Sequence, residues 1–463
     1  MNINPILNID SYKASHYLQY PPQTEYVSSY LESRGGKYAD GVFFGLQIFL
    51  KQYLCQPITA ANIDEAESIL TAHGLPFCRE NWTYILNKHQ GYFPLRIQAV
   101  PEGYIIPTQN VLCQVINTDP MCGWLTSYIE TALLRAIWYP TTVATISWHC
   151  RQVIYKYLLE TADNTDGIDF KLHDFGARGV SSTESAAIGG LAHLVNFKGT
   201  DTVPALVLAQ SIYGESMAGF SIPAAEHSTM TAWGQSREKE AYENMIDTFG
   251  GKGKAVAVVS DSYDLWHAID HIWGELLHDK VTNNQGTIVI RPDSGDPVRT
   301  SLEAIERLMD KFGYHINSKG YRQLPDYIRL IQGDGINAES LGHILKTLKN
   351  NKISAENIAF GMGGSLLQKM NRDTMRFAMK ASYACVAGQW RDVFKDPVTD
   401  SGKRSKRGRL ALIKTETGYN TIRQEDLKPD QQDELTVVFE NGQLTKAWSL
   451  ETIRRRAQGV IDF

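Results

Sequence analysis

Apolar runs that end in Asp or Gly punctuate the second half of this chain. Four of them read Ala255-Val256-Ala257-Val258-Val259-Ser260-Asp261, Ile288-Val289-Ile290-Arg291-Pro292-Asp293, Ile328-Arg329-Leu330-Ile331-Gln332-Gly333-Asp334 and Ile358-Ala359-Phe360-Gly361-Met362-Gly363-Gly364. Each is short, rich in β-branched residues and bounded by turn formers, which predicts a buried strand. Helical patterns follow at least three of them. After Asp264, the residues Leu265, Ile269, Ile272 and Leu276 share one predicted helical face. Asp296-Pro297 supplies an N-cap and first turn, with Val298, Leu302, Ile305 and Phe312 following at helical spacing. After Asn337 come Leu341, Ile344, Leu345 and Leu348. From Phe170 onward this β/α rhythm predicts strands at 171–174, 194–198, 255–260, 287–291, 327–332 and 358–361. A parallel array of this kind gathers its functional residues at the strand C-termini.

The flanks have a different pattern. Residues 1–25 read as irregular. Val42 to Leu54 predicts a buried helix, and Ile63 to His73 a second, more amphipathic one. Between Pro94 and Asp119, Pro/Gly breaks separate β-branched runs, which predicts antiparallel strands. Met121 to Ala162 is helical in pattern with a break expected at Tyr139-Pro140. Near the end, Leu410–Thr415 and Thr421–Arg423 flank a turn at Gly418, and Glu440-Asn441-Gly442 marks a hairpin. The β-rich tail is expected to return to the N-terminal strands. The domain expectation is therefore a mixed α+β domain from residues 1–165 completed by 385–463, with an α/β barrel over 166–384.

Bulk properties narrow the function. The chain has 463 residues, 43% hydrophobic and 21% charged, with a net charge of −5. That is ordinary for a globular protein and leaves no nucleic-acid footprint. No apolar run approaches the ~18 residues of a membrane span. Met1 to His16 has neither a basic n-region nor an apolar h-region, so no secretory signal is expected. Cys55, Cys78, Cys113, Cys122, Cys150 and Cys385 are far apart in sequence without CxxC spacing, which fits free thiols in a reducing cytoplasm and no zinc site.

Three motifs are decoys. Asp174-Phe175-Gly176 spells a kinase tripeptide, but the Gly-rich loop, lysine-bearing strand and HRD loop are absent. Gly250-Gly251-Lys252-Gly253-Lys254 precedes a strand, whereas a phosphate-binding P-loop follows one. Gly361-Met362-Gly363-Gly364 has Leu366 where a dinucleotide fingerprint has its third glycine, so a Gly-rich turn that contacts one phosphate fits better. Two segments concentrate chemistry. Glu226-His227-Ser228-Thr229 follows the small residues Pro223-Ala224-Ala225, and its imidazole can serve as a base or accept a phosphoryl group. Arg291-Pro292-Asp293-Ser294-Gly295-Asp296 joins a guanidinium suited to phosphate with carboxylates suited to ribose hydroxyls or hydrated Mg²⁺; an internal Arg–Asp ion pair fits the same residues.

Together these segments resemble the nicotinamide phosphoribosyltransferase family over nearly the whole chain. The resemblance is carried by Asp10-Ser11-Tyr12-Lys13 with His16-Tyr17, Leu172-His173-Asp174-Phe175-Gly176, Arg178-Gly179-Val180-Ser181-Ser182 and His193 to Thr202. It continues through Pro223 to Thr229, Ser260-Asp261-Ser262-Tyr263-Asp264, Arg291 to Gly295, Gln332-Gly333-Asp334-Gly335 and Val393-Phe394-Lys395-Asp396-Pro397. It implies a type II phosphoribosyltransferase fold, an irregular α/β barrel joined to a mixed domain, in a homodimer with shared active sites. The implied reaction displaces pyrophosphate from 5-phosphoribosyl-1-pyrophosphate by the pyridine nitrogen of nicotinamide, giving nicotinamide mononucleotide for NAD salvage.

The resemblance also implies roles. Phe175 and Tyr12, the latter from a second copy of the chain, would sandwich the pyridine ring beside Arg178. Asp201 would accept a hydrogen bond from the carboxamide, and Ser221 is carried over as a further substrate-binding position. Two like charges ~4 Å apart repel by about 4 kcal/mol at an effective dielectric of about 20, so Asp201 would disfavour nicotinate. That is on the order of three decades of discrimination. Arg291 would meet phosphates and Asp293 the ribose. Gly333-Asp334 would also meet the ribose, and Gly363-Gly364 the 5′-phosphate. Arg372, Lys380, Lys395 and Lys403 map to cationic positions that reach phosphate. His227 would be phosphorylated by ATP as co-substrate, with Glu226 and Asp264 as orienting groups and Mg²⁺ bound mainly through pyrophosphate. Two departures stand out: Ala177 where the family often has an aromatic residue, and a short Ser33-Arg34-Gly35-Gly36-Lys37 segment. The rival readings are a nicotinate phosphoribosyltransferase, a barrel glycosidase using two of Asp261, Asp293 and Asp334, and a non-catalytic binding protein.

Overall fold

The structure, a computed structural model, describes residues 4–399, 404–416 and 418–459. The chain divides into two compact units: Met1–Thr145, Ser211–Gly214 and Met370–Phe463 form the first, Ile146–Gln210 and Glu215–Lys369 the second.

The first unit is built on a seven-stranded sheet paired antiparallel throughout. Its spatial order is Gln389–Asp392, Phe377–Val386, Thr24–Ser33, Val111–Asn117, Leu95–Ala99, Thr436–Glu440 and Gln443–Leu444. The strands expected between Pro94 and Asp119 pair with one another, and Asn441-Gly442 turns a hairpin. Thr436–Glu440 closes onto Leu95–Ala99, so the C-terminal tail does return to the N-terminal half. Buried Tyr30, Phe43, Trp82, Leu95, Ile97, Leu133 and Phe439 belong to its core.

Three local expectations in this unit are corrected. Residues 5–7 and 11–18 are short 3-10 helices, not irregular chain. The apolar run from Val42 ends a strand, Asp40–Val42, and its helix starts only at Leu46. Gly45 intervenes with φ +104°, a conformation side chains rarely adopt, and it lies against Pro140; a Cβ there would stand 2.2 Å from the ring. Pro140 itself does not break its helix, which runs from Glu130 to Thr161. Neighbouring threonine hydroxyls bond backbone carbonyls around it: Thr142 Oγ1 to Trp138 O at 2.6 Å and Thr141 Oγ1 to Phe44 O at 3.1 Å.

The second unit contains the parallel array. Its strands are β1 Leu172–Asp174, β2 Gly199–Thr200, β3 Ala255–Val259, β4 Thr287–Arg291, β5 Ile328–Gln332 and β6 Ile358–Met362, in spatial order β2-β1-β6-β5-β4-β3. Every pair is parallel. One irregular segment bridges both edges. Phe220 N donates to Lys198 O at 2.7 Å and Thr200 N to Phe220 O at 3.0 Å, beside β2. Ala225 N donates to Ala257 O and Ala257 N to Pro223 O, each at 2.9 Å, beside β3. The array is thereby an irregular α/β barrel, as expected.

Alternation sorts the barrel interior into layers. Ala257, Val289 and Ile331 pack together with Ala359 and Phe175. Lys171 and Arg329 share the inward parity of this layer, Arg329 in register with Val289, and Lys171 Nζ bonds Glu356. Above the apolar layer, the same inward parity falls on His173, Phe175, Asp201, Asp261, Arg291, Asp293, Gly333, Gly361 and Gly363.

Two corrections concern this unit. Leu194–Lys198 is not a strand. The helix Thr183–His193 runs into it, and Leu194, Asn196 and Phe197 donate their amides backward to Gly190 and His193, so the strand is only Gly199–Thr200. Burial makes such a run apolar in either conformation, so periodicity cannot separate them. Leu276 is 65% exposed, unlike Leu265, Ile269 and Ile272. The helix widens to π geometry over Ala268–Leu276, which turns Leu276 outward and buries Trp273.

Candidate active site

The inner upper rim of the barrel gathers most of the expected site residues. Phe175 follows β1 directly and its amide donates to Met362 O at 3.0 Å. Its ring lies over two glycines. A Cβ at Gly361 would stand 2.0 Å from Cε2, and one at Gly333 would stand 3.1 Å away. Small residues at those inward positions are therefore what lets an aromatic ring lie across the barrel mouth. The preceding Asp174 is wholly buried. It accepts the Gly176 amide at 2.7 Å and the Thr200 hydroxyl at 3.3 Å, and burial pushes its pKa up. It is a structural carboxylate, which removes any metal role for the kinase-like tripeptide.

Asp201 lies just past β2. Its Oδ1 accepts from His173 Nε2 at 2.8 Å and from Ser221 Oγ at 2.6 Å. Burial alone would raise its pKa, but the His173 bond and charge, the Ser221 hydroxyl and the Arg291 charge override that and hold the carboxyl below its ordinary value. Ser221 comes from the segment that closes the barrel, and the same segment leads into His227.

Asp261, Asp293, Arg291 and His227 form the second cluster. His227 Nδ1 is 3.1 Å from Ser262 Oγ, while its Nε2 lies 3.4 Å from Asp293 Oδ2 and 3.6 Å from Asp261 Oδ1. Asp261 is buried. Its Oδ2 accepts the Asp293 amide at 3.0 Å and the Ser294 hydroxyl. Arg291 Nη2 reaches Asp293 Oδ2 at 3.6 Å and Ala225 O at 3.4 Å. Two buried atoms here have no hydrogen-bond partner, Arg291 Nε and Asp261 Oδ1. An unsatisfied buried donor and an unsatisfied buried acceptor in one cluster are atoms that a polar ligand could satisfy.

The carboxylates that face His227 are thus Asp261 and Asp293. Glu226 sits at the start of the helix His227–Thr231, takes the Ser228 hydroxyl and exchanges backbone bonds with Thr229 Oγ1. Asp264 caps its own helix, accepting from Trp266 N at 2.9 Å and His267 N at 3.0 Å. Both set the starting points of helices next to the cluster. Asp334 is exposed, and its carbonyl accepts from the buried Gln332 amide at 3.0 Å. Gly363 and Gly364 open the short helix Gly364–Leu367, and the exposed Arg178 lies in the turn whose Gly179 abuts Gly364.

Four expected residues belong to the first unit. Tyr12 is 55% exposed, edge-on to His16 at 4.9 Å. Arg372 pairs with Asp373 at 3.1 Å. Lys380 Nζ donates to Met379 O at 2.7 Å. Burial pulls its pKa down, Glu130 opposes this, and the charges of Arg34, Lys13 and Lys395 reinforce it. Two of these cations are already ion-paired, Lys13 with Glu130 and Arg34 with Glu32 at 3.0 Å. The Lys395 amide donates to Ser405 Oγ at 2.8 Å. Lys403 lies outside the described residues. Sequence reasoning assigned no role to His173 or Ser262. The inward parity of His173 with Phe175, and the position of Ser262 directly after Asp261, were the available signals.

The profile of the nicotinate phosphoribosyltransferase (NAPRTase) family matches residues 170–443, more than half of the chain. This chain belongs to that family. The profile of the nicotinamide phosphoribosyltransferase N-terminal domain matches residues 4–97. A relative named nicotinamide phosphoribosyltransferase from Xanthomonas campestris pv. campestris (strain 8004) is 51% identical over 463 residues, covering 99% of this chain and 98% of its own. Another of the same name from Acinetobacter baylyi (strain ATCC 33305 / BD413 / ADP1) is 34% identical, over 98% and 97% respectively. Among solved structures, nicotinate-nucleotide pyrophosphorylase from Pyrococcus furiosus superposes with a TM-score of 0.63 at 15% identity, covering 98% of this chain and 95% of that one. That likeness supports the fold, which is the type II phosphoribosyltransferase fold.

Proposed function

We propose that this protein transfers the phosphoribosyl group of 5-phosphoribosyl-1-pyrophosphate to nicotinamide, releasing pyrophosphate and forming nicotinamide mononucleotide for NAD salvage. The observation that carries this reading is the anionic Asp201 on the same barrel rim as Phe175 and Arg291, in a chain whose full-length relatives bear that name. Phe175 offers one face to a flat pyridine. Asp201 accepts from a carboxamide NH₂ and repels a carboxylate, which favours nicotinamide over nicotinate. Positive charge grows on the ribosyl ring as pyrophosphate leaves, so the reaction needs the leaving group neutralised and the pyridine held in line, more than it needs a strong base. Arg291, with its unsatisfied Nε, serves the first need, and Asp293 and Gly333-Asp334 hold the ribose. Gly363-Gly364 and Arg178 would receive the phosphate.

The same reading assigns His227 as acceptor of a phosphoryl group from ATP. Its Nδ1 is engaged by Ser262, which presents Nε2 to the site; a bond from Nε2 to the γ-phosphorus would form as ADP leaves. Asp261 and Asp293 flank that nitrogen, while Glu226 and Asp264 position it through the adjoining helix starts. Hard oxygen donors at Asp261 and Asp293, with Asp261 Oδ1 unsatisfied, fit Mg²⁺ carried with pyrophosphate, where it would neutralise the leaving group's charge. A homodimer with shared sites would bring Tyr12 to the other face of the pyridine and Arg372, Lys380, Lys395 and Lys403 to the phosphates. A barrel glycosidase reading has less support: the Asp261 amide and hydroxyl bonds are those of a fixed structural acceptor, and such an enzyme has no use for Arg291.

The test mixes purified protein, nicotinamide, phosphoribosyl pyrophosphate and Mg²⁺ with and without ATP. The expected product is nicotinamide mononucleotide, with higher yield when ATP is present. No mononucleotide under either condition rejects the reading.

A further inference from the structure

His173 was not singled out by the sequence and contributes no bond to the His227 cluster, yet it is the best-held side chain beside Asp201. Its ring is packed on three sides. Gly199 backs it so closely that a Cβ there would stand 2.7 Å from Nδ1, Phe175 meets it edge-on at 5.3 Å, and Nε2 reaches Asp201 at 2.8 Å. The His173 side chain is 12% exposed, whereas Asp201 is 47% exposed. A well-fixed imidazole therefore anchors a carboxylate that is otherwise open to solvent.

The bond pattern on that carboxylate is asymmetric. An ionised carboxylate only accepts, so His173 Nε2 carries the hydrogen. Ser221 donates to the same oxygen, Oδ1. Among the described residues no side-chain or backbone donor reaches Oδ2. Two donors converging on Oδ1 restrain the carboxylate and leave Oδ2 free to accept.

We propose that His173 is a positioning residue that sets the selectivity between nicotinamide and nicotinate by fixing Asp201 so that Oδ2 receives the carboxamide NH₂. The inference rests on the function proposed above. Selectivity here is a difference between two interactions of one oxygen pair: a charged acceptor gained by the amide, and a like charge met by the acid. Both depend on where Oδ2 points. Freed from His173, a half-exposed aspartate turns toward water, and the amide loses its aligned acceptor while the acid loses its repulsion.

The experiment compares kcat and KM for both substrates in the wild type, His173→Leu and His173→Gln, at saturating phosphoribosyl pyrophosphate and Mg²⁺. The leucine variant is expected to raise KM for nicotinamide with a smaller change in kcat. Its ratio of kcat/KM for nicotinamide over nicotinate should fall about tenfold or more. The glutamine variant, which keeps a neutral N–H donor of similar reach, should restore most of the ratio. A purely structural residue would lower both substrates together. An unchanged ratio in a folded leucine variant overturns the proposal. Should that variant fail to fold, His173→Asn decides in its place, since its shorter amide falls short of Asp201: a reduced ratio supports the proposal and an unchanged one overturns it. Wild-type protein that does not use nicotinamide rejects the function itself; use of nicotinamide with an unmoved ratio rejects only the role of His173.

Discussion

Gly361 lies so close beneath the ring of Phe175 that a Cβ there would meet Cε2 at 2.0 Å. The glycine is on β6 and the phenylalanine just beyond β1, neighbouring strands whose register puts Gly361 beside His173. Gly361→Ala must therefore displace the ring. Overpacking of this kind costs about 1–3 kcal/mol of stability. The larger effect should be functional: a several-fold rise in KM for nicotinamide, read by steady-state kinetics, with the phosphoribosyl pyrophosphate KM changed less. Equal changes in both constants would show that Phe175 does not receive the pyridine.

His227 is tied to the ATP-dependent part of the proposed cycle and not to the transfer step. His227→Ala should retain mononucleotide synthesis without ATP and lose the increase that ATP brings. Radiolabel from γ-labelled ATP should appear on the wild type and be absent from the variant. An ATP effect that survives the substitution would falsify the phosphohistidine assignment.

Asp261 and Asp264, three residues apart, should respond very differently. Asp261 braces the Asp293 amide and the Ser294 hydroxyl and faces His227, so Asp261→Ala should reduce kcat/KM by at least an order of magnitude, as expected when a site-positioning contact is lost. Asp264 is a helix cap. Asp264→Ala should cost about 1 kcal/mol in thermal stability and leave kcat/KM within a few-fold. Parallel melting curves and kinetics on the two variants check both statements.

His193 gives the second unit an acid-sensitive core. It is fully buried, with Nδ1 2.9 Å from Ser147 Oγ and Nε2 3.2 Å from Gly199 O. Burial, aided by the nearby charge of His173, pushes its pKa down to about 3. The folded state therefore refuses a proton that the unfolded chain accepts below about 6.5. This contribution is fully present above that pH and is lost as pH falls toward 3, at about 1.4 kcal/mol per pH unit in the steep part. Urea unfolding of the wild type and of His193→Gln between pH 7 and 4.5 should show a steeper decline for the wild type. Parallel curves would show that His193 is protonated in the fold.

Much of this protein is legible in the chain because it depends on near neighbours. Alternation and β-branching marked the barrel strands from 255 to 362, Asp296-Pro297 and Asn337 marked helix starts, and Asn441-Gly442 marked a hairpin. The Asp and Gly residues at the strand ends followed from the same local reading, and Arg291 and His227 from the chemistry of their segments, whereas Phe175 and Asp201 came only from the family resemblance. What the sequence alone could not decide depends on partners distant along the chain. Pro140 stays helical, with threonine hydroxyls bonding the carbonyls around it and Gly45 making room for its ring. Leu194–Lys198 is a turn because its amides bond backward. Leu276 faces outward because its helix widens. Above all, only closure of the barrel by residues 220–225 sets His227 opposite Asp261 and Asp293, and Ser221 with His173 on a single oxygen of Asp201. Periodicity records which face of an element is buried; strand register and closure decide which side chains meet there.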